Sequence, residues 1–207
     1  MTMQPTPPSA VLYLATWLPS HLHAQFSTWC DDHHREQLQL PGFLRARRFE
    51  WASSGRDDNP PQYLTMYDLD SLAVLTSEAY VQHTRSSAGL PDFLRGNLRV
   101  ERRDCELIAA LPSSWWPPAR TPLLDLFQLN DDALAVGLKQ HISNLSVPAD
   151  TSLIVRVIDS DDNEPLVLFD HEDAETDLIN TITAASGSLR SSWRCVFDEL
   201  SGSAVQA

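Results

Sequence analysis

The chain has 207 residues, of which 43% are hydrophobic and 21% charged, values typical of a globular protein with one or two domains. Its formal net charge of −13 argues against general nucleic-acid binding and against an anionic membrane surface as partner. No apolar run approaches the roughly 20 residues that cross a bilayer, and residues 1–10 do not resemble a signal peptide. Because the three cysteines also lie far apart, we expect a cytoplasmic protein.

The first half of the chain predicts the element order β-α-β-β-α-β. Apolar residues recur at helical or alternating spacing, and Pro41-Gly42 ends the first helix because proline cannot continue it. Residues 1–10, rich in Pro and Thr, are predicted to be flexible. The predicted elements are a strand at 11–17, a helix at 21–40, strands at 43–51 and 62–69, a helix at 71–86 and a strand at 98–111.

The second half predicts the same order again, after a Pro-rich linker at 112–121. It comprises a strand at 123–129, a helix capped by Asn130, strands at 153–159 and 165–170, a helix at 174–185, a strand at 192–200 and a tail at 201–207. Each half is a ferredoxin-like unit, whose sheet has one face without helices. We therefore predict an α+β protein in which two tandem ferredoxin-like units, 11–111 and 122–200, form an intramolecular α/β barrel.

The first half, over roughly residues 11–110, resembles a known family. The residues concerned are Phe26-Ser-Thr-Trp29-Cys-Asp-Asp-His33-His34, Leu40-Pro41-Gly42-Phe43 and Ala46-Arg47-Arg48-Phe49. They resemble the EthD-like members of the dimeric α/β-barrel superfamily, in which a helix with Trp and His precedes a Pro-Gly-Phe turn and a strand with Arg. That superfamily holds monooxygenases, isomerases, haem enzymes and proteins of unknown role. The second half lacks these motifs, and the resemblance implies that it is a degenerate partner completing the barrel.

Two adjacent histidines are the candidate catalytic residues, because a histidine near its pKa can act as a general acid or base. Counting forward from Trp29 aligns the family histidine with His34, whereas counting back from Pro41-Gly42 aligns it with His33. The helical wheel favours His33, which shares a stripe with Phe26 and Trp29. The alternative is one buried, hydrogen-bonded core histidine beside a solvated one.

The candidate ligand-binding residues are aromatic and arginine side chains of the helix and of the second and third strands: Trp29, Arg45, Arg47, Tyr63 and Tyr67. Arginine in an aromatic pocket can hold a carboxylate, phosphate or enolate oxygen. Alternatively, the arginines pair with acidic residues of the second half. That half is strongly acidic, with 5 basic and 16 acidic residues in 106–207 against 10 and 12 in 1–105.

We predict no metal site and no cofactor. Adjacent histidines on a helix diverge by about 100° and do not chelate one ion, and in the sequence His83, His141 and His171 are isolated. Nucleotide-binding glycine motifs are absent from the 207 residues, which include only 7 glycines.

The function we expect is the binding of a small hydrophobic oxygenated metabolite between sheet and helices, with a cofactor-free oxidation or isomerisation. His33 or His34 would move a proton, and Arg47 and Tyr67 would hold an oxygen. The alternative is a non-catalytic accessory or protein-interaction module with an acidic C-terminal half. The chain could also form a homodimer. A cavity flanked by His33 or His34 would favour the first function.

Overall fold

The strands of the chain close into an eight-stranded antiparallel β-barrel. The computed structural model describes residues 6–54, 59–86, 90–111, 116, 123–128, 154–160, 163–171 and 190–201. The strands are β1 (Ala10–Trp17), β2 (Phe43–Ser54), β3 (Tyr63–Leu69), β4 (Arg99–Leu111), β5 (Leu123–Gln128), β6 (Ile154–Ser160), β7 (Asn163–His171) and β8 (Arg190–Leu200). The predicted closed barrel is therefore confirmed.

The strand order is the same in both halves of the barrel. Around the barrel the strands run β4-β1-β3-β2 and then β8-β5-β7-β6, and β6 pairs with β4 to close the ring. The predicted helices after Asn130 and at 174–185 lie outside the described residues. The predicted linker, apart from residue 116, and residues 202–207 of the tail also lie outside them.

Two short helical segments and two α-helices cover the outer face of the first half. A 3-10 helix (Ser20–Leu22) leads into α1 (His23–Gln37), and a second 3-10 helix (Leu72–Thr76) precedes α2 (Glu78–Ser86). The predicted single helix at 71–86 is thus wrong in one respect, because it is broken at Ser77. The Ser77 hydroxyl accepts a hydrogen bond from the Tyr80 amide (3.2 Å), which caps α2 at a new start.

The buried stripe of α1 differs from the predicted one by about one residue. Leu22, Phe26, Cys30 and His34 are buried at a spacing of four, whereas Trp29 and His33 are only half-buried. The predicted preference for His33 as the inward histidine is therefore wrong. Arg48 of β2 fixes α1 on the sheet: its Nη1 donates to the Ser27 carbonyl (3.1 Å).

The turn between α1 and β2 depends on Gly42. Its φ is +86°, a conformation that residues with a Cβ rarely adopt. A Cβ at this position would also collide with the Val74 side chain. The backbone of the second 3-10 segment and the turn can approach one another because this residue has no side chain.

The barrel interior is filled by side chains from all eight strands. Apolar residues make up most of it, including Val11, Tyr13, Phe49, Leu64, Met66, Leu124, Ile158, Leu168 and Trp193. Four charged residues lie among the strands with a relative exposure of 1%: Arg47, Asp68, Arg156 and Asp170. Side chains thus fill the described part of the barrel interior, and the cavity described next lies outside it.

Candidate functional site

A cavity of about 120 Å³ lies between the outer face of the sheet and the helices. Roughly this volume of enclosed apolar space accommodates a ring the size of benzene. Its apolar lining is Leu12, Leu14, Phe26, Trp29, Leu98 and Val100. Its polar lining is Thr16, Cys30, His33, His34, Gln37, Thr65, Tyr67 and Tyr80. An apolar pocket with a few converging polar groups is the usual form of a small-molecule site.

A chain of three buried polar side chains lies in the cavity wall. The Tyr67 hydroxyl is 2.5 Å from Nδ1 of His34, and the Cys30 sulfur is 3.2 Å from Nε2 of the same ring. Both His34 nitrogens are therefore engaged. Phe197 packs against the ring, with centroids 5.0 Å apart. The side chains hold the imidazole in one orientation from three sides.

Burial perturbs the ionisation of all three groups in this chain. It lowers the pKa of His34 well below its ordinary value, and the nearby Arg48 guanidinium adds to the effect. Burial likewise raises the pKa of Tyr67 well above its ordinary value and that of Cys30 to about 11. Near neutral pH the three groups are thus an uncharged phenol, an uncharged imidazole and a thiol.

The neutral chain can be protonated in two ways. In one, the Tyr67 hydroxyl donates to Nδ1 of His34, and Nε2–H points at the Cys30 sulfur. In the other, Nδ1–H donates to the Tyr67 oxygen, which leaves the phenolic proton available elsewhere. Both tautomers satisfy the two observed contacts and carry the same number of protons. A proton taken up at the Tyr67 oxygen is therefore matched by one released at the Cys30 sulfur, and the chain stays neutral.

Gln37 supplies a polar group that the sequence did not single out. The residue is 5% exposed and lines the cavity, and its Oε1 has no hydrogen-bond partner among the described residues. Its Nε2 makes a long contact of 3.4 Å with Nε2 of His33. A buried acceptor without a donor is costly. Gln37 is followed four residues later by the Pro41-Gly42 turn, a position that carries no sequence signal for ligand binding.

The predicted site residues do not all come together. Trp29, His33, His34 and Tyr67 line the cavity. Tyr63 lies beside it, packed on Phe26 with ring centroids 5.0 Å apart. The arginines do not share the cavity.

Arg45 and Arg47 form ion pairs with acidic residues of the second half. Two hydrogen bonds of 2.7 and 2.6 Å join Arg45 to Asp198, and Arg47 Nη1 donates to Asp170. The expectation that Arg47 and Tyr67 hold one ligand oxygen is therefore corrected. Tyr67 pairs with Ala46, the neighbour of Arg47, and successive residues of a strand point to opposite faces. A register shift in β2 between Phe43 and Arg45 places Phe43 in the cluster outside the barrel, whereas Phe49 lies inside it.

A second group of polar residues meets at the edge of the cavity. Single ligand atoms of His33, Glu36 and His83 all lie within 4.8 Å of one another. The expectation that His83 is isolated is thereby corrected, since α2 brings it against α1. The only sequence signal was the spacing of His33 and Glu36, which are three residues apart and so share a helix face.

The comparisons with known proteins identify the fold. No protein-family model and no curated protein matches the sequence. Among solved structures, a "putative monooxygenase" from Lactobacillus acidophilus NCFM matches with a TM-score of 0.62 at 8% identity, covering 94% of this chain and 97% of that one. A "putative monooxygenase" from Fusobacterium nucleatum subsp. nucleatum gives 0.61 at 10% identity, with coverages of 94% and 96%.

An "anthrone oxidase-like protein" also matches, with a TM-score of 0.57 at 9% identity and coverages of 98% and 97%. These neighbours share the barrel fold with this chain over nearly their whole length. At such identities the likeness extends to the fold alone, since one fold hosts many functions. Within the described residues, no helix is long and apolar enough to cross a bilayer.

Proposed function

We propose that the chain binds a small, largely apolar molecule that carries oxygen, in the cavity between the sheet and helices α1 and α2. The observation that carries this proposal is the Gln37 Oε1 atom, a buried acceptor in the cavity wall without a partner among the described residues. A hydroxyl of the ligand would donate to it. The Tyr67 hydroxyl would hold a second oxygen, and Trp29 and Phe26 would contact the apolar body.

We further propose that the bound molecule undergoes a cofactor-free oxidation or isomerisation. The Tyr67–His34 pair would take a proton from a carbon beside a carbonyl group or return it, since the pair can transmit a proton in either direction. The resulting enolate is either reprotonated at another carbon, which is an isomerisation, or reacts with O₂. Of the roles assigned from the sequence, we retain proton transfer for His34 and the contact with a ligand oxygen for Tyr67. Arg47 has neither role.

The structural neighbours favour oxidation of the two reactions. Two are called putative monooxygenases and one an anthrone oxidase-like protein. Anthrone is therefore a rational first probe, of which one ring matches the volume of the cavity. Its reaction with one O₂ would give anthraquinone and one water, with the proton leaving the central methylene carbon. O₂ uptake above the autoxidation rate in wild type, lost in a His34→Gln variant, would support the proposal.

Binding is tested first by native mass spectrometry of the purified chain. A retained small molecule that is lost on denaturation is expected. Tyr67→Phe and Gln37→Leu should reduce its occupancy. Tyr13→Phe is the matched control, because Tyr13 is also buried but lies inside the barrel. If no molecule is retained and none of a panel of phenols and ketones raises the melting temperature, the accessory or protein-interaction function is favoured instead.

For the organisation of the chain we propose two tandem ferredoxin-like units of the EthD-like type, at 11–111 and 122–200. The repeated strand order supports this. The charged residues inside the barrel support it too: Arg47 and Asp68 occupy β2 and β3, and Arg156 and Asp170 occupy the corresponding β6 and β7. A cytoplasmic location is proposed as well, supported by Cys30 and Cys195 being thiols.

A further inference from the structure

We propose that His33, Glu36 and His83 bind one divalent transition-metal ion at the edge of the cavity. Their ligand atoms lie within 4.8 Å of one another. Two of the residues come from α1 and one from α2, so the ion would join the two helices that cover the cavity. This inference does not depend on the proposed function.

The ligand atoms lie farther apart than an ion of the size of Zn²⁺ requires, by a margin that side-chain movement can close. Bonds of about 2.0–2.2 Å to imidazole nitrogen and carboxylate oxygen place tetrahedral ligand atoms roughly 3.3 Å apart. The observed separations therefore have to contract by up to about 1.5 Å. Glu36 is exposed, so its carboxylate can move by this much through rotamer changes alone. The contact of 3.4 Å between Gln37 and His33 Nε2 is long and costs little to replace.

The imidazole of His33 is oriented before any ion binds. The Trp29 ring stacks on it, with centroids 4.9 Å apart and planes inclined by 13°. The His83 ring is 6.3 Å from it. Ligands held in orientation by their neighbours bind metals more tightly than mobile ones.

The chemistry of the donors indicates the class of ion. Two imidazoles and one carboxylate favour Zn²⁺, Co²⁺ or Fe²⁺ over Ca²⁺ and Mg²⁺, which prefer oxygen ligands only. Three protein ligands leave at least one position for water or for an oxygen of a molecule in the cavity. Since His33 also lines the cavity, a bound ion would lie where it can contact such a molecule.

The test is a titration of the EDTA-treated full chain with Co²⁺, followed by visible absorption, with Zn²⁺ measured by equilibrium dialysis. Wild type is expected to bind one ion. Glu36→Gln and His83→Ala should each weaken binding at least about 100-fold, since the loss of an outer-shell partner alone costs 10–100-fold. His21→Ala is the matched control, because His21 is exposed and lies about 18 Å along the helical segment from His33.

Circular dichroism and melting temperatures of each variant without metal establish that it is folded. Because Glu36 is exposed, Glu36→Gln keeps the test informative even if His83→Ala unfolds. The inference would be overturned if wild type binds no Co²⁺ or Zn²⁺. It would be overturned equally if Glu36→Gln and His33→Ala bind the ion as tightly as wild type, since the ion would then lie elsewhere in the chain.

Discussion

The four charged residues inside the barrel provide the sharpest test of how its two halves are joined. Asp170 accepts hydrogen bonds from Arg47 and from Arg156 at 3.1 and 2.7 Å. Arg156 also donates to Asp68 at 2.8 Å, while Arg47 and Asp68 are 3.5 Å apart. The network has no net charge. Removing one partner leaves an uncompensated buried charge, which costs about 3–5 kcal/mol.

We expect Arg47→Met to lower the free energy of unfolding by about 3 kcal/mol, the smaller end of that range, because Arg156 still bonds both carboxylates. Asp170→Asn should cost as much or more, since two guanidinium groups then face one carboxylate. The double variant restores neutrality. Its cost should be less than the sum of the single costs by about 1–3 kcal/mol.

The assay is urea unfolding followed by tryptophan fluorescence. Trp51 and Trp193 pack edge to face with centroids 4.8 Å apart, so their emission reports on β2 and β8. Equal slopes in urea would show that the variants unfold as the wild type does. Arg35→Met, which removes an exposed pair with Glu199, should leave the midpoint unchanged. Strictly additive single effects, or single costs below about 1 kcal/mol, would refute the coupling.

Three further predictions concern acidity, the first turn and a thiol. Burial alone would raise the pKa of Asp170, but Arg156 and Arg47 hold this pKa below its ordinary value. The contribution of Asp170 to stability is thus complete above about pH 4 and is lost as the pH falls further. In unfolding measured against pH, the free energy of unfolding of Asp170→Asn should therefore fall less steeply below about pH 4 than that of the wild type. Gly42→Ala should cost roughly 2–5 kcal/mol in urea unfolding, from a positive φ and a collision with Val74. Gly96→Ala has a φ of +74° but no neighbour within 4 Å and should cost only about 1–2 kcal/mol; equal costs would contradict the collision. Because burial raises the pKa of Cys30 to about 11, peptide mapping should find its alkylation by iodoacetamide at pH 8 at least about 100-fold slower in the folded chain than in urea.

The barrel was predictable because its strands show clear apolar periodicity and the second half repeats the order of the first. The sequence did not predict which histidine of the first helix faces inward. The buried stripe at Phe26, Cys30 and His34 differs by one position from the predicted stripe, which contains Trp29 and His33. The helical wheel placed Trp29 on the inner face because its side chain is large and apolar. In the structure Trp29 is half-buried and lines the cavity.

The partners of the arginines in the second strand lie in parts of the chain that are distant in sequence. Nothing within the second strand indicates that Arg45 and Arg47 meet Asp198 and Asp170, which are 153 and 123 residues distant. The alternation alone could not place Phe43 either, because one extra residue at the start of β2 moves it to the other face. Likewise, the sequence does not indicate that His83 lies beside His33, because this depends on the packing of α2 against α1.

The crossed pairing of the charged residues has a consequence for how such a chain could arise. Arg47 of the first half bonds Asp170 of the second, and Arg156 of the second bonds Asp68 of the first. Each half therefore contributes one arginine and one aspartate, and each of these pairs with the oppositely charged residue of the other half. Two copies of the first half alone would meet the same requirement, with each arginine on the other copy's aspartate. A symmetric pair of identical short chains could thus be joined end to end without redesigning its centre, and the outer faces of the two halves would then be free to diverge.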